Sequence, residues 1–151
     1  MSGPRQQRGF TLIELVVVLA ILAAAAVLVL PAVGRGTETL RLRGEAGRVA
    51  ALLREARLHA VSRRQPTRVT LDPARHTVAL GLGPSEPSSR QIAMSPGVRL
   101  HVETGGETLT FSPRGVTREA RWIVEGAGGR RLAIEVQGVS GQVTVVAEAT
   151  Q

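Results

Sequence analysis

The feature that most constrains this chain of 151 residues is an apolar run close to its N-terminus. The 21 residues from Phe10 to Leu30 include one charge, Glu14, and neither glycine nor proline. As an α-helix this run is about 32 Å long, enough to cross a hydrocarbon core of about 30 Å. The sequence therefore predicts a membrane-spanning helix over residues 10–33. An unpartnered carboxylate is costly in such a run, so Glu14 requires an explanation.

The residues that flank the apolar run leave two ordinary interpretations open. Residues 1–9 form a short polar leader that is basic through Arg5 and Arg8. A cleaved secretory signal requires a site of small residues, which residues 32–34 provide weakly, whereas an uncleaved anchor requires nothing more. Neither interpretation accounts for Glu14, or for the Gly9-Phe10 pair between the leader and the apolar run.

The charge of the chain is concentrated just beyond this run. The net charge is +7, all basic residues are arginines, and residues 35–64 alone hold eight of them against three glutamates. Such an excess suits nucleic acid, but a solvated helix or one attracted to anionic lipid headgroups is the better interpretation. The chain has no cysteine, which excludes disulfides and thiolate metal sites.

Residues 34–65 predict a second, amphipathic helix, the stalk helix. Pro31 and the glycines at 34 and 36 separate it from the apolar run, and Gln65-Pro66 ends it. Its apolar residues recur at spacings of three and four, which form a narrow apolar stripe. The members of this stripe are Leu42, Ala46, Val49, Leu53, Ala56 and Ala60.

From Thr67 onward the apolar period changes to two, which predicts short strands separated by turns rich in glycine and proline. We expect seven strands, around residues 69–71, 78–80, 98–102, 109–111, 120–124, 132–136 and 143–145. Antiparallel strands with one buried face require a cover, and the stalk helix is the natural one. The fold class is therefore α+β, with a long N-terminal helix packed on an antiparallel β-sheet head, residues 66–151.

The polar residues of the head give little sign of catalysis. Its histidines and its single aspartate, Asp72, do not have metal-ligand spacing, so we expect no enzyme activity, metal or other cofactor. One basic patch is the place where we would look for contact with DNA. It consists of Arg114, Arg118, Arg121, Arg130 and Arg131.

The sequence GFTLIELVVVLAILAAAAVLVLP, residues 9–31, resembles the N-terminus of type IV pilins and type II secretion pseudopilins. The resemblance implies that a prepilin peptidase cuts after Gly9 and that the new N-terminal Phe10 is methylated. It also implies that Glu14 serves subunit assembly and that Pro31 kinks the helix. The later pattern of one helix, then short strands, is similar to minor pseudopilin H and the FimT-type minor pilins.

The resemblance implies a pilin-like, non-enzymatic subunit of the type II secretion pseudopilus. It would be a single-pass protein of the bacterial inner membrane with its head in the periplasm. Its partners would be the major and other minor pseudopilins, the prepilin peptidase, the inner-membrane assembly platform and membrane lipid. The alternative is a FimT-like type IV minor pilin that primes pili or takes up DNA, with nucleic acid as a partner.

Overall fold

The computed structural model describes residues 11–83 and 88–148, apart from the side chains of residues 27–36. The chain divides into two compact units, Met1–Thr37 and Glu38–Gln151. Helix α1, Leu12–Arg63, covers both predicted helical segments as one element of 52 residues. Arg64 follows it in the left-handed region at φ 53°, the usual way to end a helix, just before the predicted stop at Gln65-Pro66. The first unit holds the start of this helix, and the second holds its remainder together with all the strands.

In the described residues after the helix there are eight strands, one more than the sequence predicts. They are β1 Thr67–Asp72, β2 Thr77–Gly81, β3 Ser88–Ala93, β4 Arg99–Thr104, β5 Thr108–Phe111, β6 Ala120–Glu125, β7 Arg131–Val136 and β8 Val143–Ala147. They form two antiparallel four-stranded sheets, in the orders β3-β2-β1-β5 and β4-β6-β7-β8. The predicted antiparallel head is thus confirmed, with its strands divided between two sheets.

Strand β3 is the one that the sequence analysis missed, because none of the seven expected strands falls within residues 88–93. It pairs with β2 at the edge of its sheet, and Ile92 is its one buried residue. Because the other five side chains of this edge strand are exposed, its sequence lacks the alternation of apolar and polar residues that marks the other strands.

One core packs the two sheets against the second part of α1, residues 42–60. All six members of the predicted apolar stripe are at most 3% exposed, and Ala50 and Leu52 are buried beside them. Both aromatic side chains of the head, Phe111 and Trp122, lie in the same core. The Trp122 indole N–H donates to the Gly106 carbonyl at 3.1 Å, which satisfies the one polar atom of that side chain. The stripe therefore covers the head as predicted.

Candidate functional sites

The first turn of α1 contains the predicted assembly residue Glu14. The Thr11 hydroxyl oxygen accepts a hydrogen bond from the Glu14 backbone N–H at 3.3 Å, so Thr11 is the N-cap of the helix. Thr11 and Glu14 have the spacing of a capping box, and a carboxylate in the first turn is stabilised by the helix dipole. Glu14 thus has a local role at the helix start, one that the sequence analysis did not recognise.

The side chains around Glu14 are apolar and exposed. Every residue from 11 to 26 is exposed, and the nine large apolar side chains between Leu12 and Leu22 keep between 45% and 81% of their surface accessible. In the part of the chain that the structure describes, no helix combines the length and the hydropathy of a membrane span, so the predicted span stays a prediction. A helix that is apolar on all sides is normally buried, in protein or in lipid.

Three of the other predicted residues lie wholly or partly outside the described part of the chain. Gly9 and Phe10 precede it, and the peptidase site stays a prediction. Pro31 falls within α1, but its side chain belongs to residues 27–36, so the predicted kink also stays a prediction.

The five arginines of the predicted basic patch differ in their surroundings. Arg121, on β6, has three carboxylates around its guanidinium, at 2.5 Å from Glu103, 2.5 Å from Glu135 and 2.7 Å from Glu148. Its pKa is raised, first by the hydrogen bond to Glu148 and then by the other two charges, against a lowering by burial. The raised pKa therefore keeps Arg121 charged at neutral pH, and the stability linked to this shift is lost as the pH rises through the raised pKa. Arg121 is neutralised within the protein.

The remaining four arginines of the patch lie at the β6–β7 hairpin and on the segment between β5 and β6. Arg131 lies 3.7 Å from Glu125 at the end of the β6–β7 hairpin far from Arg121, and Arg130 donates to the Thr39 hydroxyl on α1. Arg114 lies in the turn after β5, and Arg118 in the segment before β6. Arg121 and Arg131 thus have carboxylate partners, whereas Arg114 and Arg118 share the segment between β5 and β6.

Glu45 is a buried glutamate that the sequence analysis missed. It is 5% exposed, accepts a hydrogen bond from the Ser95 hydroxyl at 2.6 Å, and pairs with Arg48 at 2.9 Å. A buried carboxylate requires such partners. Its place in the sequence, three residues after Leu42 and next to Ala46, already puts it beside the apolar stripe, and that was the available signal. Its role is to fix the segment between β3 and β4 on the helix.

An open groove of about 430 Å³ lies where α1 meets the β7–β8 turn. It is lined by Arg54, Arg57 and residues 140–143. Arg54 donates from Nη2 to the Val143 carbonyl at 2.9 Å, which satisfies an oxygen on the edge strand β8. No ion pair joins Arg57 to a carboxylate among the described residues. The sequence analysis placed both arginines outside the apolar stripe, but it did not predict this groove.

Comparison with known families then identifies the chain. The sequence model of the prokaryotic N-terminal methylation motif matches residues 4–30, and that of type II transport protein GspH matches residues 45–141, more than half of the chain. The chain belongs to the GspH family. This confirms the resemblance predicted from residues 9–31 and from the later strand pattern.

A curated relative of this GspH-family chain is type II secretion system protein H from Xanthomonas campestris pv. campestris. The two are 39% identical over 69 residues, which are 46% of this chain and 41% of the relative. The chain therefore spans less than half the length of the curated relative that it matches.

Solved structures share the fold of this GspH-family head. The type IV minor pilin FimU of Pseudomonas aeruginosa superposes with a TM-score of 0.61 at 18% identity, over 72% of this chain and 97% of that one. The minor pseudopilin EpsH of Vibrio cholerae gives 0.61 at 14% identity, over 71% and 97%. These likenesses confirm the predicted pilin-like α+β fold.

Proposed function

We propose that this GspH-family chain is a minor pseudopilin, a subunit that enters or primes the pseudopilus of a type II secretion system and aids the export of folded proteins. The observation that carries the proposal is the contrast within α1. The second part of this helix is covered by the head, whereas residues 11–26 present apolar side chains on every side. Lipid covers this surface while the subunit waits in the inner membrane, and neighbouring subunits cover it in the filament.

The residues of the N-terminus have defined parts in this function. Prepilin peptidase cuts between Gly9 and Phe10, and Phe10 becomes the methylated N-terminus. The new amine pairs with Glu14 of a neighbouring subunit. The desolvation penalty of burying the two charges offsets much of their attraction. The pair therefore contributes more to the axial register of the filament than to the stability of the filament. Pro31 loosens the helix, since it lacks a backbone N–H.

The partners and the location follow from the same proposal. Residues 10–33 anchor the chain in the bacterial inner membrane, and the head lies in the periplasm. The chain meets the prepilin peptidase and the inner-membrane assembly platform before assembly, and the major and other minor pseudopilins after it. Its work is mechanical, so we expect no catalysis and no cofactor.

Processing is tested by the mass of the N-terminal peptide of protein extracted from membranes of the native host. We expect the mature chain to begin at methylated Phe10. A chain that begins at Met1 or Ser2 would refute the proposed cut. The peptide mass also separates cleavage from methylation, because an unmethylated Phe10 terminus supports the first without the second.

The register role of Glu14 is tested by assembly. We expect Glu14→Ala to be inserted and cut normally, yet to reach less than about a tenth of the normal level in sheared pseudopili. Thr11→Ala is the matched control, because it removes the N-cap oxygen and leaves the carboxylate in place. We expect Thr11→Ala to assemble well. If it fails as Glu14→Ala does, Glu14 acts through the helix start and the register role is wrong.

A type IV minor pilin that contacts DNA is the second candidate, favoured by the likeness to FimU, whose TM-score equals that of EpsH. A gel shift with residues 38–151, the second compact unit, and a duplex oligonucleotide separates the two. Phosphate contacts make binding sensitive to salt, so clear affinity at moderate salt would support the pilin. We expect none, since Arg121 is already surrounded by three glutamates.

A further inference from the structure

One face of α1 outside the core combines arginine side chains with apolar ones. Arg54, Arg57, Leu58 and Val61 follow the spacing i, i+3, i+4 and i+7, which puts them on one face of the helix. Val116 follows Gly115, which lies against Val61 and Arg57, and Val139 precedes residues 140–143, which line the groove beside Arg54 and Arg57. We call these six residues the Arg57 surface: Arg54, Arg57, Leu58, Val61, Val116 and Val139.

Two glycines hold Arg57 in position within this surface. Gly115 and Gly141 have φ values of 77° and 64°, a region that other residues rarely adopt. A Cβ atom at Gly141 would overlap the Gly115 carbonyl oxygen and come within 2.9 Å of the Arg57 side chain. A Cβ atom at Gly115 would come within 3.2 Å of Arg57 Nε. The two turns therefore approach the arginine stem as closely as backbone can, and they restrict where its guanidinium lies.

Among the described residues, no carboxylate forms an ion pair with Arg54 or Arg57. Glu55, the nearest acid along the helix, pairs with Arg90 at 2.6 Å and lies 3.8 Å from His59. The ion pairs in the described part of the chain use other arginines, and Arg54 donates to a carbonyl instead. A guanidinium that packing holds in place and leaves without a carboxylate is suited to bind one in the two-bond, side-by-side geometry.

The apolar members of the surface indicate the kind of partner. Val139 is 90% exposed and Leu58 67%, whereas the aromatic side chains of the described residues, Phe111 and Trp122, are buried. Proteins that bind single-stranded nucleic acid stack bases on exposed aromatic side chains, which this surface lacks. Arginine beside apolar side chains is the composition of protein interfaces.

We propose that the Arg57 surface docks an acidic segment of a partner protein. A carboxylate of the partner pairs with Arg57 in the groove of about 430 Å³, and an apolar side chain next to it packs on Val139 and Val116. The inference uses only residues of α1 and the head that line this surface, so it can be tested independently of the secretion function proposed above.

The test uses the full chain in a mild zwitterionic detergent and two fluorescent ten-residue peptides. One peptide carries four glutamates among leucines, and the other has glutamine at the same four positions. We expect fluorescence anisotropy at about 150 mM salt to give at least tenfold tighter binding of the acidic peptide. Arg57→Gln should remove this preference. Arg57→Lys should retain part of it, because lysine keeps the charge but lacks the planar guanidinium that forms two parallel hydrogen bonds.

The matched control is Arg118→Gln, an exposed arginine outside the Arg57 surface, which should leave the preference unchanged. Val139→Ser should weaken the binding of both peptides by a similar factor. The unfolding midpoint of each variant, followed by the fluorescence of Trp122, shows whether the head is intact.

Three results would overturn the proposal. The first is equal binding of the two peptides, or no binding of either, by the intact head. The second is a preference that survives Arg57→Gln. The third is a duplex oligonucleotide, or a vesicle of phosphatidylglycerol, that displaces the acidic peptide and binds more tightly in a manner that depends on Arg57. That last result would assign the surface to nucleic acid or to lipid.

Discussion

The two parts of helix α1 have the same backbone conformation and opposite surroundings. Residues 11–26 are apolar and exposed on all sides. From Leu42 to Ala60 the buried side chains lie on one face of the helix, and the two sheets cover that face. Because short helices are marginal in water without tertiary packing, the second part depends on the head for its stability. No other described residue buries the side chains of residues 11–26, and the proposed function supplies their cover from lipid and from neighbouring subunits.

The largest effect expected from this comparison is at Leu53. This side chain is 0% exposed in the core, so Leu53→Ala should lower the free energy of unfolding of the head by about 2–5 kcal/mol. Urea unfolding followed by Trp122 fluorescence measures it, since Trp122 is the one tryptophan of the chain and is 1% exposed.

Leu19→Ala is the matched control in the first part of the helix. Leu19 is 57% exposed, so the same substitution should change the stability of the head by less than about 0.5 kcal/mol. A loss as large as that of Leu53→Ala would mean that both parts of the helix belong to one cooperative unit. The contrast drawn above would then be wrong.

A smaller effect is expected from substitution of two glutamates of the helix, Glu45 and Glu14. Glu45→Ala removes a buried carboxylate and leaves the Ser95 hydroxyl without its partner, which should cost about 1–3 kcal/mol of stability. Glu14 is exposed, so Glu14→Ala should leave the urea midpoint of the head unchanged while it impairs assembly. Equal midpoints for the two variants would contradict the burial of Glu45.

Sequence periodicity was enough to predict the helix stripe and seven of the eight strands. The stripe from Leu42 to Ala60 is visible because burial on one face repeats at 3.6 residues. Strand β3 was missed because only Ile92 of its six side chains is buried, and the division into two sheets was missed because the pairing of strands is not a local property. The family motif supplied Gly9, Phe10 and Glu14, and periodicity had no part in those predictions.

The sites were harder to predict than the fold, for a physical reason. Arg57 becomes distinctive only where Gly115 and Gly141 meet beside it, and these residues are far apart in the sequence. Arg121 has three carboxylate partners because Glu103, Glu135 and Glu148 reach it from other strands and from the segment after β8. Charge counted along the chain cannot show either arrangement.

The smallest expected effect tests the face of α1 opposite the buried stripe. Gly47 lies in the helix interior with no atom within 4 Å of the position that a Cβ would take. Gly47→Ala should therefore stabilise the head by about 0.5–1 kcal/mol, since alanine loses less backbone entropy on folding. Gly141→Ala is the contrasting control and should destabilise, because its φ of 64° and the Gly115 carbonyl leave no room for a methyl group. If Gly47→Ala destabilised the head in the same urea experiment, something would have to cover this face in solution, and the helix would be buried on two sides.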